Sequence, residues 1–279
     1  MASVSVIIPT FNRAHRVARA IASVLFQTTA DYEIIVVDDG STDETSTALR
    51  RFQSHIRIIT LPHQMGVSAA RNAGVTSTAS PFIAFLDSDD YWLPEKLSAQ
   101  LYFFLENPGA VACQSQEKWI RRGVWVNPKR KHLKPSGDIF SQSLKLCVVS
   151  PSAVMVRRSL LEEVGLFDET FPCCEDYELW LRVSCRYPIH LLGKPLVVKE
   201  GGSPDQLSRN YPGMDLYRIK AISKMIEGGW LNEPQLALAL QELSVKCSIY
   251  GNGCIKRGKR SEGEYYLRLP ERLKRPRER

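Results

Sequence analysis

Three carboxylates stand within four residues at Asp87-Ser88-Asp89-Asp90. At that spacing they repel one another unless a cation or protons intervene. In an extended chain, residues two apart point the same way, so Asp87 and Asp89 can face one site while Asp90 turns aside. Hard oxygen ligands in that number suit Mg²⁺ or Mn²⁺, ions that leave coordination positions open for substrate phosphates. The same residues also suit an acidic turn ahead of the helix that starts near Pro94. A second acidic pair, Asp38-Asp39, precedes Gly40-Ser41. An Asx turn and a helix cap account for Ser41 and one aspartate. The other carboxylate is left to accept hydrogen bonds from a ligand, such as a base N–H or a ribose hydroxyl. A third pair, Glu175-Asp176, opens an amphipathic segment. Acids are favoured at the positive end of a helix. A general base at the same place needs some desolvation, because the helix terminus lowers its pKa. Arg71 and Asn72 suit phosphate contact or packing equally. Cys173-Cys174 has no partner at metal spacing and reads as packing, and the five histidines form no cluster. The chain carries no Gly-x-x-x-x-Gly-Lys phosphate loop, no serine nucleophile elbow and no hydride-cofactor fingerprint.

These residues need a scaffold that gathers them. The chain has 279 residues, 44% hydrophobic and 24% charged, enough for one large domain or one domain with an appendage. Its first half alternates strand and helix signals. Strands are expected over residues 3–9, 33–37, 56–61 and 82–86. Helices are expected over 14–28, after Ser41, over 67–75, and from Pro94 to Asn107. Ser41 with Glu44 suggests a capping box. Leu97, Leu101, Phe104 and Leu105 suggest the buried face of the fourth helix. Alternation of this kind implies βαβ units and an α/β fold, Rossmann-like, with a mostly parallel sheet covered on both faces. Ligands of such sheets bind beyond the carboxyl ends of the strands. Three of those ends carry polar clusters: residues 10–13, Asp38-Asp39, and Asp87 to Asp90. The second half is less regular. Strands are expected over 110–115, 119–125 and 150–157, and helices over 160–164 and 176–186. A helical, basic appendage follows, over 216–226, 234–250 (ended by Gly251) and about 254–269.

The net charge is +7. Residues 256–279 hold ten Lys/Arg against four Asp/Glu, which is +6 of it. Residues 118–134 add seven basic side chains and no acid. Charge confined to a loop and a tail does not describe a nucleic-acid groove. It suits a solvated tail, or attraction to anionic headgroups or a polyanionic partner. No apolar run approaches the ~20 residues of a membrane span. No signal peptide is visible. Seven cysteines, an odd number at irregular spacing, favour a reducing compartment over a disulfide framework. The expected location is cytoplasmic, with peripheral contact at the inner membrane face through the basic tail.

In order along the chain, the segments VSVIIPTFNR (4–13), IVVDDGSTD (35–43), GVSAARNAG (66–74), FLDSDD (85–90), GLFDE (165–169) and EDYELWLR (175–182) resemble family-2 glycosyltransferases of the GT-A fold. The resemblance covers roughly residues 3–210. It implies nucleotide-binding roles for Pro9, Thr10, Phe11, Asp38, Asp39, Arg71, Asp87 and Ser88. Pro9, Phe11 and Asp39 would hold the base, Arg71 would lie near the base or diphosphate, and Asp87 would meet the ribose. Asp89 would bind the Mn²⁺ or Mg²⁺ that bridges the diphosphate, and Asp176 would be the catalytic base of an inverting displacement. The implied partners are a UDP- or dTDP-linked nucleotide-sugar donor and a glycan or lipid-linked acceptor. The implied division is 1–210 as the glycosyltransferase domain, with 1–109 for the nucleotide and 110–210 for the acceptor. Residues 211–279 form the extension, whose role is packing or a homodimer surface. Many relatives carry a histidine after the base. Residues 201–208, GGSPDQLS, have none, and Ser203 stands near that place. The QxxRW segment of processive synthases is also missing, which favours transfer of one sugar. A catalytically silent nucleotide-sugar or glycan binding module is the alternative. A nucleotidyltransferase is disfavoured, because no Gly-rich loop with a lysine follows the first strand.

Overall fold

The structure is a computed structural model that describes every residue except 1, 122, 128–131, 202–210, 212 and 275–279. Its centre is β1 (Val4–Thr10), whose seven residues are all buried. A strand covered on both faces needs a near-continuous apolar run rather than alternation, and Val-Ser-Val-Ile-Ile supplies it, with Ser5 Oγ donating to Glu33 at 2.6 Å. β1 pairs in parallel with β2 (Tyr32–Asp38) on one side and β4 (Phe82–Phe85) on the other. β3 (Arg57–Thr60) adds in parallel beyond β2. The crossovers are α1 (Ala14–Leu25), α2 (Thr45–Arg50) and α3 (Val67–Thr76). The βαβ expectation therefore holds from β3 to β4.

Past β4 the sheet changes character. β5 (Tyr91–Trp92), α4 (Lys96–Glu106), β6 (Ala112–Arg121), β7 (Val124–Val126), α5 (Phe140–Lys145), β8 (Val154–Arg157), α6 (Arg158–Val164), α7 (Glu175–Ser184) and β9 (His190–Gly201) follow. The sheet order is β3-β2-β1-β4-β8-β6-β9-β5, with β7 on β6. β8 joins β4 and β6 antiparallel, while β6 and β9 pair in parallel, so the sheet is mixed. Two strands expected over 110–115 and 119–125 are largely one, β6, with register shifts around Gln116. Opposite those shifts β9 passes through Gly193-Lys194-Pro195, which hid it from the apolar pattern.

Side-chain alternation along β1 splits the core into two layers. Val4, Val6 and Ile8 meet Val17, Ile21 and Val24 of α1 and Leu97 and Phe104 of α4. Ile7 meets Ala70 and Val75 of α3, and Trp180 of α7 closes the same layer. Leu105, expected in this core, is exposed. The capping box at Ser41 and Glu44 does not form. Ser41 Oγ instead accepts the Asn12 N–H at 2.9 Å, and the Asp43 carboxylate accepts the Thr45 N–H at 2.9 Å.

Three further helices, α8 (Asp215–Glu227), α9 (Glu233–Lys256) and α10 (Arg260–Lys274), end the described chain. Ile219, Ile222, Leu243 and Cys247 share one apolar cluster with Phe140, Tyr177 and Leu181. Gly251 does not end its helix. A Cβ there would sit 2.8 Å from the Gly263 carbonyl oxygen, so the glycine serves a close helix crossing. Among the described residues no helix is long and apolar enough to cross a membrane.

Gly74 sets how closely α3 approaches the sheet, because a Cβ there would lie 2.5 Å from Ile7 Cγ2. Gly74→Val should lower the unfolding free energy by about 1–3 kcal/mol, as overpacking does. Urea denaturation checks this, and an unchanged midpoint would refute it.

Candidate active site

A cavity of about 1000 Å³ opens over the carboxyl ends of β1, β2 and β4. Pro9, Thr10, Phe11, Asp39, Arg71, Asp87, Ser88, Asp89 and Asp176 line it. Of the residues given nucleotide, metal or base roles, Asp38 is the one not on its wall. Its buried carboxylate accepts the Ser41 N–H at 3.1 Å, so it shapes the turn after β2.

The β2 end is built by its neighbours. Asp39 accepts the Met65 N–H at 2.7 Å on one oxygen and the Gly66 N–H at 2.8 Å on the other. It thereby clamps the turn into α3, and each oxygen keeps a lone pair. Gly66 has φ +99°, the left-handed backbone that favours glycine. Asn12, also left-handed at φ +51°, accepts the Thr42 N–H at 2.8 Å and ties the β1 loop to the β2 loop. Sequence reading gave Asn12 no role, since its partner lies 30 residues away.

Arg71 projects from α3 between two carboxylates. Nη1 donates to Glu175 Oε1 at 2.7 Å and Nη2 to Asp87 Oδ1 at 2.8 Å. The guanidinium side chain is 4% exposed and lies 5.0 Å over the Phe167 ring. Arg71 therefore acts as a strut across the sheet rim, with both terminal nitrogens occupied. Burial pushes the Asp87 carboxyl up, but the Arg71 and Lys199 cations outweigh this and hold it below the usual carboxylate range. Burial and the Asp176 charge raise Glu175, with Arg71 opposing. Asn72 resolves to packing: Nδ2 donates to the Phe167 carbonyl at 2.9 Å and Oδ1 accepts the Phe167 N–H at 3.0 Å.

The acidic segment after β4 is a turn, not an extended strand, and the Asp90 N–H bonds the Asp87 carbonyl at 2.9 Å. Asp90 does turn aside. Ser152 Oγ donates to its carboxylate at 2.6 Å and accepts the Asp87 N–H at 3.1 Å. Burial pushes Asp90 well above the usual range. Asp89 remains on the cavity wall, with no ion pair within 4 Å among the described residues. Burial and then the Asp87 charge push its carboxyl up. A cation there would relieve both.

Asp176 enters through α7. Cys174 holds φ +60°, a strained left-handed turn that ends the preceding loop and starts the helix. Asp176 accepts the Tyr177 N–H at 2.7 Å. The Cys147 thiol abuts it, and burial and then the Asp176 charge push that thiol well up. Arg182 anchors the loop carrying Phe167, donating to the Leu166 carbonyl at 2.7 Å and to Glu178 at 2.7 Å. Lys199 of β9 also lines the cavity and was not singled out from the sequence. Ser203 and the rest of 202–210 lie outside the described residues.

Among the described residues no group of three or more His, Cys, Asp or Glu side chains is arranged to hold a metal. The donor set that does exist, Asp89 beside Asp87, is hard oxygen on an open wall. It fits a divalent ion that keeps most of its positions for phosphate oxygens and water.

The sequence profile of Glycosyl transferase family 2 matches residues 5–165. The chain belongs to glycosyl transferase family 2. An uncharacterized glycosyltransferase of Rickettsia felis is 33% identical over 238 residues, 84% of this chain and 38% of that protein. The chain thus spans well under half of that relative's length. A UDP-Glc:alpha-D-GlcNAc-diphosphoundecaprenol beta-1,3-glucosyltransferase of Escherichia coli is 35% identical over 181 residues, 64% of this chain and 69% of that protein. The structure of S. aureus TarS 1-349 in complex with UDP-GlcNAc has a TM-score of 0.77 at 19% identity, covering 98% of this chain and 83% of that one. A mannosyltransferase from Pyrobaculum calidifontis in complex with GDP-Man and Mn²⁺ has a TM-score of 0.58 at 16% identity, covering 97% and 84%. These likenesses establish the GT-A fold for this family-2 chain, a mixed sheet with helices on both faces and a helical C-terminal region.

Arg71→Met removes the cation of two carboxylates. Unfolding free energy near pH 7 should fall by about 3–5 kcal/mol. Without Arg71 both folded-state pKa values lie above their unfolded values, so the folded form binds extra protons and stability recovers as pH falls. Urea unfolding near pH 7 and near pH 5 measures both. A deficit that is absent, or that widens at the lower pH, contradicts the strut.

Proposed function

We propose that this chain moves one sugar from a nucleoside diphosphate sugar, UDP- or dTDP-linked, to a hydroxyl of a glycan or lipid-linked acceptor, with inversion. The observation that carries the reading is the gathering of Asp39, Asp87, Asp89 and Asp176 around one cavity. The E. coli relative, named for a UDP-Glc donor and a diphosphoundecaprenol acceptor, supports the substrate class.

In this reading the acceptor oxygen attacks the anomeric carbon. The bond from that carbon to the diphosphate oxygen breaks, and the nucleoside diphosphate leaves with the electron pair. Asp176 takes the hydroxyl proton. It lines the cavity beside buried Glu175 and against the Cys147 thiol, where an acceptor hydroxyl could reach it. Pro9, Thr10, Phe11 and Asp39 serve the base, Asp39 through its spare lone pairs. Asp87 and Ser88 serve the ribose. Arg71 holds Asp87 and Glu175 in place rather than touching the diphosphate. Asp89 would hold Mn²⁺ or Mg²⁺, which supplies charge neutralisation at the diphosphate when bound. Residues 1–109 carry the donor side and 110–210 the acceptor side, with 211–279 as an extension. Its basic end suits peripheral contact with an anionic membrane.

Asp176→Asn should lower transfer about 10²–10⁴-fold while nucleotide binding persists. Turnover unchanged in that variant, measured by sugar transfer from UDP-Glc to a diphosphate-linked acceptor, removes Asp176 from the mechanism. Melting with a nucleotide panel, with and without Mn²⁺, reports base and metal together. A ligand at ~100 times its dissociation constant adds about 2.7 kcal/mol, a readily seen shift. Asp89→Asn should erase the increment due to Mn²⁺ and leave the metal-free shift. Retention of the full increment removes the metal from Asp89.

A further inference from the structure

The turn after β4 holds three carboxylates, and two of them meet a cation of the chain itself. Arg71 lies 2.8 Å from Asp87, and the Lys199 ammonium lies 3.8 Å from Asp90. Lys199 stands on β9, in parallel register with Trp119 of β6. It lines the same cavity as Asp87 and Asp89.

Neutralising Asp90 does not account for this lysine. Ser152 already donates to Asp90 at 2.6 Å. The 3.8 Å between Lys199 and Asp90 is too long for a hydrogen bond. Ser150 Oγ, at 3.0 Å, is the one hydrogen-bond acceptor of Lys199 among the described residues. An ammonium has three donors. The side chain keeps 31% exposure, so the charge is at the cavity wall rather than beneath it. Burial alone would discharge such an amine, but Asp90, Glu117, Asp87 and Asp89 outweigh it and keep Lys199 cationic.

We infer that Lys199 is a phosphate-binding cation of the donor pocket, its spare N–H groups meeting the diphosphate of the nucleoside diphosphate sugar. This rests on the reading of the cavity as a nucleotide-sugar site. It adds that the chain carries fixed positive charge for the diphosphate independently of a divalent ion.

Calorimetric titration of the full chain with uridine and UDP, and with thymidine and dTDP, in EDTA, tests the inference. The diphosphate of the preferred base should bind at least about tenfold more tightly than its nucleoside. Lys199→Met should erase most of that preference and leave nucleoside affinity unchanged, and Lys199→Arg should keep much of it. Equal loss for nucleoside and diphosphate, or no loss, overturns the inference while sparing the nucleotide-site reading. A wild-type chain that binds none of the four overturns both. If Lys199→Met does not fold, amine acetylation of the wild type, followed by mass spectrometry at Lys199, decides instead. Protection by the diphosphate but not the nucleoside supports the inference, and equal or absent protection overturns it.

Discussion

One buried guanidinium joins the two halves of this site. Arg71 holds Asp87, at the end of a parallel strand, and Glu175, at the start of a helix from the irregular half. Glu175 is buried and Asp87 only partly exposed, so each carboxylate gains from the cation. The guanidinium needs both, because its two terminal nitrogens present a rigid fork. Everything that faces the cavity is referenced to that bridge. Asp89 follows Asp87 by two residues, and Asp176 follows Glu175 by one. A shift of α7 against the sheet would move the proposed base relative to the proposed metal ligand, and the bridge resists it.

The charges around the cavity are also graded. Asp87 is held ionised by its cation, Asp90 is turned into a serine, and Asp89 is left on the wall with its carboxyl raised. Three aspartates within four residues thus take three different chemical states through their surroundings alone. Asp39 adds a mechanical role to any binding role, because the backbone N–H groups it accepts belong to the turn that launches the Arg71 helix.

Much of the first half was legible in the sequence for a physical reason. Strands buried on both faces read as near-continuous apolar runs, and residues 4–8, broken only by Ser5, and 34–37 fit that. The polar clusters at their ends were legible as well, and so was their meeting place. What stayed hidden were pairings across distance. Arg71 finds Glu175 104 residues away, and no local pattern announces it. Asp38 and Asp39 are identical in type, yet one faces inward to a turn and the other toward the cavity. β9 was concealed by its own bulge, and Lys199 with it, since a lone lysine near a strand end looks like a solvated edge. Gly251 looked like a helix stop because its true cause, the backbone of Gly263, lies on another helix.

The helices after residue 214 are wired into the rest of the fold by more than apolar contact. Lys224 of α8 reaches Asp168 at 2.5 Å and Glu178 at 2.7 Å. Glu178 in turn grips Arg182, which holds the loop beneath the Arg71 ring contact. A fragment ending before α8 would therefore leave a 1%-exposed carboxylate one cation short and strip the cover from Tyr177 and Leu181. Shortened versions of this chain should therefore keep all three terminal helices, since the first of them carries a keystone cation.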